Sequence, residues 1–208
     1  MRLRPAILSL LLILAAAAAP ANGDGTALTL ELVAERLSKP GVLRGNYSQT
    51  RQIADLTRPL TSSGRFLLSE SGLQWQQEKP FDNVIVADGK RVAERMADGP
   101  VKSVDSSRQP VVVAISRIFL DMFRGQHADL EDNFTVRFEQ DNETWEIGLT
   151  PIRSPLSKVI KQITLKGRER IDQISVSSGV SDQMTIRFFD LQTSPEQLTE
   201  HEIELYAW

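Results

Sequence analysis

The side chains able to do chemistry are few and scattered. The chain has two histidines, His127 and His201, far apart and without metal-ligand spacing, so each reads as a surface residue. Serines are plentiful, yet none sits in a nucleophile-elbow pattern, and Ser177-Ser178-Gly179 is a loop signal. Asp129, Glu131 and Asp132 cluster without the glycine and oxygen spacing of a calcium loop, and read as a solvated turn. No glycine-rich phosphate loop occurs, because Gly64, Gly72 and Gly89 each fit a turn, a bulge or a strand. Cysteine is absent, so there is neither a thiolate nucleophile nor a disulfide. These residues disfavour an ordinary hydrolase, a metalloenzyme or a nucleotide enzyme. No catalytic residue, metal or cofactor is assigned. A carboxylate-only glycosidase stays open as an alternative, since paired acids need not be near in sequence.

The elements that would position any site are mostly strands. Leu30, Val33, Ala34 and Leu37 recur at helical spacing, and Pro40-Gly41 stops that segment. Strand patterns follow over Val42–Gln52 (Leu43, Gly45 and Tyr47 on one face), Ser63–Ser69 (Phe66, Leu68) and Gly72–Gln77 (Leu73, Trp75). Val84–Ala87 and Arg91–Met96 flank Asp88-Gly89, a strong hairpin signal. Residues 111–124 then carry Ile115, Ile118, Phe119 and Met122 on one helical face, with Pro110 at the start and Gly125 past the end. Phe134, Val136 and Phe138 alternate with polar neighbours, as do Trp145, Ile147 and Leu149 beyond an Asp141-Asn142 turn. A short irregular or helical crossover over Pro151–Ile160, bearing Leu156, Val159 and Ile160, leads to strands bearing Ile163/Leu165, Ile174/Val176 and Met184/Ile186/Phe188. A last strand is expected over Ile203 and Leu205.

About ten strands and two helices predict a mainly β, α+β fold. The expected form is one curved antiparallel sheet, an unclosed barrel capped by helices over its apolar face.

The N-terminus predicts where the chain works. Met1 to Arg4 is basic, Ala6 to Ala19 is apolar apart from Ser9, and Ala19-Pro20-Ala21 suits signal peptidase. Residues 1–21 therefore read as a cleaved secretory signal, too short for a span of about 20 apolar residues. Without a cysteine after the signal, lipid anchoring is not expected. The remaining 22–208 suit one soluble, extracytoplasmic domain. The formal charge of −3 includes Arg2 and Arg4. With no basic stripe, nucleic acid is not an expected partner.

A one-sided sheet met by two helices either packs solid or keeps a cavity for an apolar ligand. Its faces hold large, adaptable side chains, and periodicity leaves both outcomes open.

The order of motifs adds a resemblance. Asn46-Tyr47-Ser48-Gln49 precedes Gly64, Leu73-Gln74-Trp75, Lys79-Pro80-Phe81 and Ile85-Val86-Ala87-Asp88-Gly89. Beyond the middle helix comes Trp145-Glu146-Ile147-Gly148-Leu149-Thr150-Pro151. Over Leu28 to Leu205 this resembles the periplasmic outer-membrane lipoprotein carrier family (LolA-type). The resemblance implies an unclosed barrel whose cavity shields the acyl chains of a lipoprotein or other lipidated cargo between inner and outer membrane, without catalysis. It implies an inner-membrane export complex as donor, an outer-membrane receptor as acceptor, and a monomer. Tyr47, Phe66, Trp75, Ile115, Ile118, Phe119, Met122, Phe138, Trp145, Ile147, Met184, Ile186 and Phe188 would then line or gate the cavity.

Two departures point to a divergent branch. Where the family carries an Arg-Pro pair linked to latching its lid, this chain reads Ser69-Glu70-Ser71. It also stops at Trp208, where the main branch extends further. A glycolipid or other acylated product of a dedicated pump is then a candidate cargo. The alternative from another class is a structural or regulatory interaction module with the same fold and a filled core.

Overall fold

The computed structural model of the protein describes residues 29–38, 41–88, 91–96, 99–103, 110–123, 126, 128–179, 182–204 and 206. The leader over 1–21, Pro40, Gly89, Gly125, His127 and Leu205 lie outside the described residues.

The chain opens with α1 (Leu30–Ser38), which buries Val33, Ala34 and Leu37. Thr29 caps it, its Oγ1 accepting from the Leu32 amide at 3.3 Å, which satisfies a donor the helix itself cannot. A meander follows: β1 (Val42–Gln52), β2 (Leu60–Ser69), β3 (Gly72–Lys79), β4 (Asn83–Ala87), β5 (Val92–Met96) and β6 (Lys102–Ser103). Helices α2 (Pro110–Phe123) and α3 (Ala128–Glu131) lead to a second meander. It contains β7 (Phe134–Asp141), β8 (Thr144–Pro151), α4 (Leu156–Val159), β9 (Ile160–Gly167), β10 (Ile171–Ser178) and β11 (Asp182–Gln192), and α5 (Glu200–Glu204) follows.

All eleven strands belong to one sheet, in the order β6-β5-β4-β3-β2-β1-β11-β10-β9-β8-β7. Every pairing is antiparallel. The two meanders join where the first strand of one meets the last strand of the other, with Tyr47 opposite Phe188 and Gln49 opposite Ile186. β6 and β7 are left as the free edges, so the barrel is unclosed. The link between them therefore has to run from one edge of the sheet to the other. The α2–α3 segment makes that crossing over the concave face.

Alternation decides what points into that face. Ile147, Leu149, Ile163, Leu165, Ile174, Val176 and Ile186 are buried there with Tyr47, Phe66 and Leu68. Ile115, Ile118, Phe119 and Met122 of α2 join the same cluster. Gly64 is required by close approach, because a Cβ there would lie 1.9 Å from the Gln76 carbonyl oxygen, at the bulge where β2 shifts register on β3.

Three features differ from the sequence expectation. β6 is a further strand, but its two residues carry no apolar alternation. α3 and α5 span four and five residues, too few for a helical period to emerge, whereas α4 falls within the crossover expected over Pro151–Ile160. The segment around Ile203, expected as a strand, is helical, and Ile203 is exposed. A capping box explains the switch. The Thr199 amide donates to Glu202 Oε2 at 2.8 Å, and the Glu202 amide donates to Thr199 Oγ1 at 3.3 Å.

Glu202 also ties the C-terminal segment to the outer face of the sheet. Arg44 Nε and Nη2 donate to its two carboxylate oxygens at 2.5 and 2.7 Å. The remaining Arg44 donors reach the Pro195 and Gln197 carbonyls at 2.8 and 3.1 Å. Nearby, the Tyr206 hydroxyl lies 3.2 Å from the Leu67 carbonyl and 3.1 Å from that of Gly72. Burial pushes its pKa up to about 12.

Hydrogen bonding from Arg44 holds the Glu202 carboxyl down at about 2, against an ordinary value of 4.5. A depressed carboxyl stabilises the fold fully above its unfolded pKa and loses that contribution as pH falls toward the folded value. Glu202→Gln should therefore cost about 1–2 kcal/mol at pH 7. Thermal melts should show the gap from wild type narrowing from about pH 4.5 down toward 2. A gap independent of pH would mean the carboxylate charge contributes nothing.

Candidate functional site

The apolar space under the sheet is divided by α2. On one side a cleft of about 250 Å³ is lined by Leu73, Trp75 and Ile85, by Ile115 and Ser116 of α2, and by Val176, Met184 and Ile186. On the other side a cleft of about 240 Å³ lies between α2 and the start of β7, with Ile118, Leu130, Phe134 and Leu156 in its wall and Arg117, Asp121, Asn133, Arg153 and Ser154 around them. Between them Phe119 and Met122 fill the interior and are almost wholly buried. The apolar space is thus two clefts flanking a helix that occupies the middle.

The first cleft has a gradient from dry to wet. Its remaining wall residues are Gln49, Arg51, Gln77, Asn83 and Ser178. All sit toward one end of their strands. Arg51 pairs with Met184, Gln77 with Asn83, and Ser178 with Asp182. The cleft is therefore apolar at depth and polar where the strands end. Arg51 Nη2 is bonded to Asp182 Oδ2 at 2.8 Å across that mouth, and Asn83 Nδ2 donates to Glu94 Oε1 at 2.8 Å.

A ring cluster forms the cleft's inner wall. Trp75 meets Tyr47 at 3.9 Å between ring centroids, and Phe188 packs edge-on to Phe66, Trp75 and Phe119 at 5.2, 6.0 and 5.4 Å. Edge-to-face pairs contribute about 0.5–1.5 kcal/mol each beyond area burial, and Phe188 makes three. The Tyr47 hydroxyl is buried inside this cluster, facing the Trp75 indole without a well-formed hydrogen bond among the described residues. That burial raises its pKa.

The residues singled out from sequence fall into distinct places. Trp75, Ile115, Met184 and Ile186 line the first cleft, and Ile118 lines the second. Tyr47, Phe66, Phe119 and Phe188 make up the rest of the ring cluster. Met122 and Ile147 are core residues, and Phe138 packs against that core half-buried. Trp145 is brought to neither cleft. It pairs with Gly167, which pairs with Ile171, and so sits at the end of the sheet opposite Met184. Its indole Nε1 donates to the Arg168 carbonyl at 2.5 Å, an anchoring contact.

The polar wall of Gln49, Gln77 and Asn83 was not singled out from sequence. Their shared face was legible from alternation with Tyr47 and Trp75, but their common depth depends on register.

Other depressions lack this character. A groove of about 820 Å³ is lined by Arg36, Gly41, Glu169, Arg170, Thr193, Glu196 and Gln197, with no large apolar side chain among them. A second polar groove, beside the same β9–β10 turn, gathers Glu139, Asp141, Glu146 and Asp172. Of these, Glu146 is bonded to Lys166 at 2.6 Å and Glu139 to Arg137. Among the described residues, no three His, Asp or Glu side chains are grouped to hold a metal.

A family model described as outer membrane lipoprotein carrier protein LolA matches residues 38–200. Among solved structures, a LolA superfamily protein from Nitrosomonas europaea is similar at 11% identity and a TM-score of 0.49, covering 84% of this chain and 97% of its own. A DUF1329 family protein from Desulfovibrio piger is similar at 7% identity and a TM-score of 0.48, covering 82% of this chain and 92% of its own. Among curated proteins, none gives a significant sequence match.

Removing the buried Tyr47 hydroxyl should relieve an unmet hydrogen-bonding group. Tyr47→Phe is expected to leave stability unchanged or raise it by up to about 1–2 kcal/mol in urea melts. A loss of more than about 1 kcal/mol would show that the hydroxyl has a partner.

Proposed function

The chain belongs to the LolA family of outer membrane lipoprotein carriers, and from that premise we propose that it is a periplasmic carrier of acylated cargo. In this reading residues 1–21 are removed on export, and 22–208 act as a single carrier domain, as a monomer. An inner-membrane export complex loads it and an outer-membrane receptor unloads it. The cargo is a lipoprotein, a glycolipid or another acylated product.

One observation carries the reading: α2 is an apolar plug with open space on both sides. A pocket for a drug-sized ligand usually needs about 300–1,000 Å³, and neither cleft alone supplies it. Moving Ile115, Ile118, Phe119 and Met122 outward would join the two clefts into one continuous cavity, apolar at its centre and polar at both outer ends. The same shift would expose those side chains unless an acyl chain replaced them. Opening and loading would then be one event.

The gradient in the first cleft suits an amphiphile. Acyl chains would lie against Trp75, Ile85, Val176 and Ile186, with the polar head beside Gln49, Gln77 and Asn83 at the mouth. Each methylene withdrawn from water contributes about 0.8 kcal/mol, so no stronger recognition is needed.

The filled ring cluster between the clefts favours a second reading, an interaction module whose core never opens. Acyl-probe binding separates the two. The carrier should bind a fluorescent fatty-acid or lipopeptide probe, and Phe119→Glu should abolish that binding. Because a buried Glu could simply unfold the protein, a second variant keeps the test clean. The chain has no cysteine, so Ile115→Cys with Met184→Cys gives a unique pair across the first cleft. Bridging that pair with a short cleavable thiol reagent should stop probe uptake, and cleaving the reagent should restore it. Unchanged uptake in the bridged form would overturn the plug mechanism, and no uptake by wild type would favour the module.

A further inference from the structure

Among the described residues, four buried side-chain oxygens lack a well-formed hydrogen bond: the Tyr47 hydroxyl, Ser62 Oγ, Asn83 Oδ1 and Asp182 Oδ1. Folded proteins satisfy the large majority of such groups, because each one left unmet costs the fold its desolvation. Here all four belong to one place. Tyr47 packs on Trp75 in the inner wall of the first cleft, and Asn83 lines its mouth. Ser62 lies opposite Gln49, and Asp182 opposite Ser178. Gln49 and Ser178 both line the cleft, and directly paired residues share a face of the sheet. The unmet oxygens therefore follow the cleft from its aromatic floor to its rim.

Three donors beside them are already engaged. Asn83 Nδ2 donates to Glu94 Oε1 at 2.8 Å, Gln77 Nε2 to the Phe81 carbonyl at 2.9 Å, and Arg51 Nη2 to Asp182 Oδ2 at 2.8 Å. In Asn83 and Asp182, one end of the group is bonded and an oxygen is left over. The Glu94 carboxylate fixes which end of the Asn83 amide is left, since a carboxylate accepts and only Nδ2 can donate to it. What remains is a pair of acceptors, with the Gln49 amide and the hydroxyls of Ser62 and Ser178 able to give or accept.

Charge gives no preference for an ion at this mouth. Arg51 keeps further N–H groups, but its side chain is half in water and its charge is met by Asp182. Lys102 lies opposite Glu94, and exposed Lys79 and Asp82 bound the β3–β4 turn together. A carboxylate or fully ionised phosphate would bring more acceptor oxygens to oxygens that already lack donors. A quaternary ammonium would bring no donor at all. A hydroxyl both donates and accepts, so a head built of hydroxyls can meet Asn83 and Asp182 while taking a bond from Gln49.

We propose that the first cleft selects acyl cargo by an uncharged, hydroxyl-bearing head group. Asn83 Oδ1, Asp182 Oδ1 and Ser62 hold that head at the mouth, and the chain enters along Trp75 and Ile186. The inference deepens the carrier reading and rests on it. In the closed form these oxygens are shut from water and unmet. A head entering between the walls supplies their bonds, so part of the selectivity comes from relieving a cost the empty protein carries.

The test is calorimetric titration of the full-length chain, recovered from the soluble fraction of expressing cells. Three amphiphiles with matched dodecyl chains serve as ligands below their micelle concentrations: dodecyl maltoside, laurate and dodecyltrimethylammonium. Mildly alkaline buffer keeps laurate ionised. Wild type should bind dodecyl maltoside about tenfold more tightly than either ion. Ser62→Ala removes a hydroxyl that has no partner to lose, and with Asn83→Ala it tests the oxygens singly. Each should narrow the gap between maltoside and laurate several-fold. Equal affinity for the three, tighter binding of an ion, or a gap unchanged in the variants would each overturn the proposal while leaving the carrier reading intact. An unchanged gap would mean that water serves those oxygens. Binding of none of the three would refute the carrier reading itself, and this inference with it.

Discussion

The pairing of β1 with β11 is the constraint on which the rest of the structure depends. It joins two meanders through their first and last strands, and so sends the remaining ends, β6 and β7, to opposite edges of an eleven-stranded sheet. The chain between those edges cannot avoid the concave face. A polar crossover there would strand unpaired groups in the core, so the segment has to be an apolar helix. The helix that covers the core and the helix that could open it are therefore the same element, by topology.

The two faces of the sheet are held by different kinds of force. Outside, Arg44 makes directional bonds to Glu202 and to two carbonyls, which specify one position for the C-terminal segment. Inside, α2 is seated by Ile115, Ile118, Phe119 and Met122, whose attraction to the sheet depends on area and hardly on angle. Fully exposing four such side chains would cost on the order of 6–12 kcal/mol. An acyl chain of about fourteen carbons, at about 0.8 kcal/mol per methylene, supplies a gain of the same size. On the carrier reading, loading near balance is what release without an energy source would require, and a rigid polar lock on α2 would forfeit it.

Much of the fold was legible because strand alternation and helical period are local. Phe134, Val136 and Phe138 mark β7, and Ile115, Ile118, Phe119 and Met122 mark the buried face of α2. At the C-terminus two local signals conflicted. Ile203 and Leu205 alternate as a strand would, while Thr199 and Glu202 form a capping box. The box prevails because Arg44, distant in sequence, fixes the Glu202 carboxylate. For the candidate site, alternation gave the face but not the depth. Trp75 and Trp145 both point inward from strands of equal length, yet one lies at the first cleft and the other at the far end.

Depth is set by register, and register here is adjusted at bulges. β1 slips against β11 between Arg44 and Asn46, β2 against β3 between Ser63 and Gly64, and β9 against β10 near both ends. Each slip moves the strand beyond it along its axis, so side chains far apart in the chain reach a common level. Gln49, Gln77, Asn83 and Ser178 meet at one mouth for that reason. The Gly64 bulge lets two strand backbones approach more closely than any Cβ would allow, and so helps to set that level. A residue with no side chain thus governs where the polar end of the cleft lies, through the alignment of strands it does not itself line.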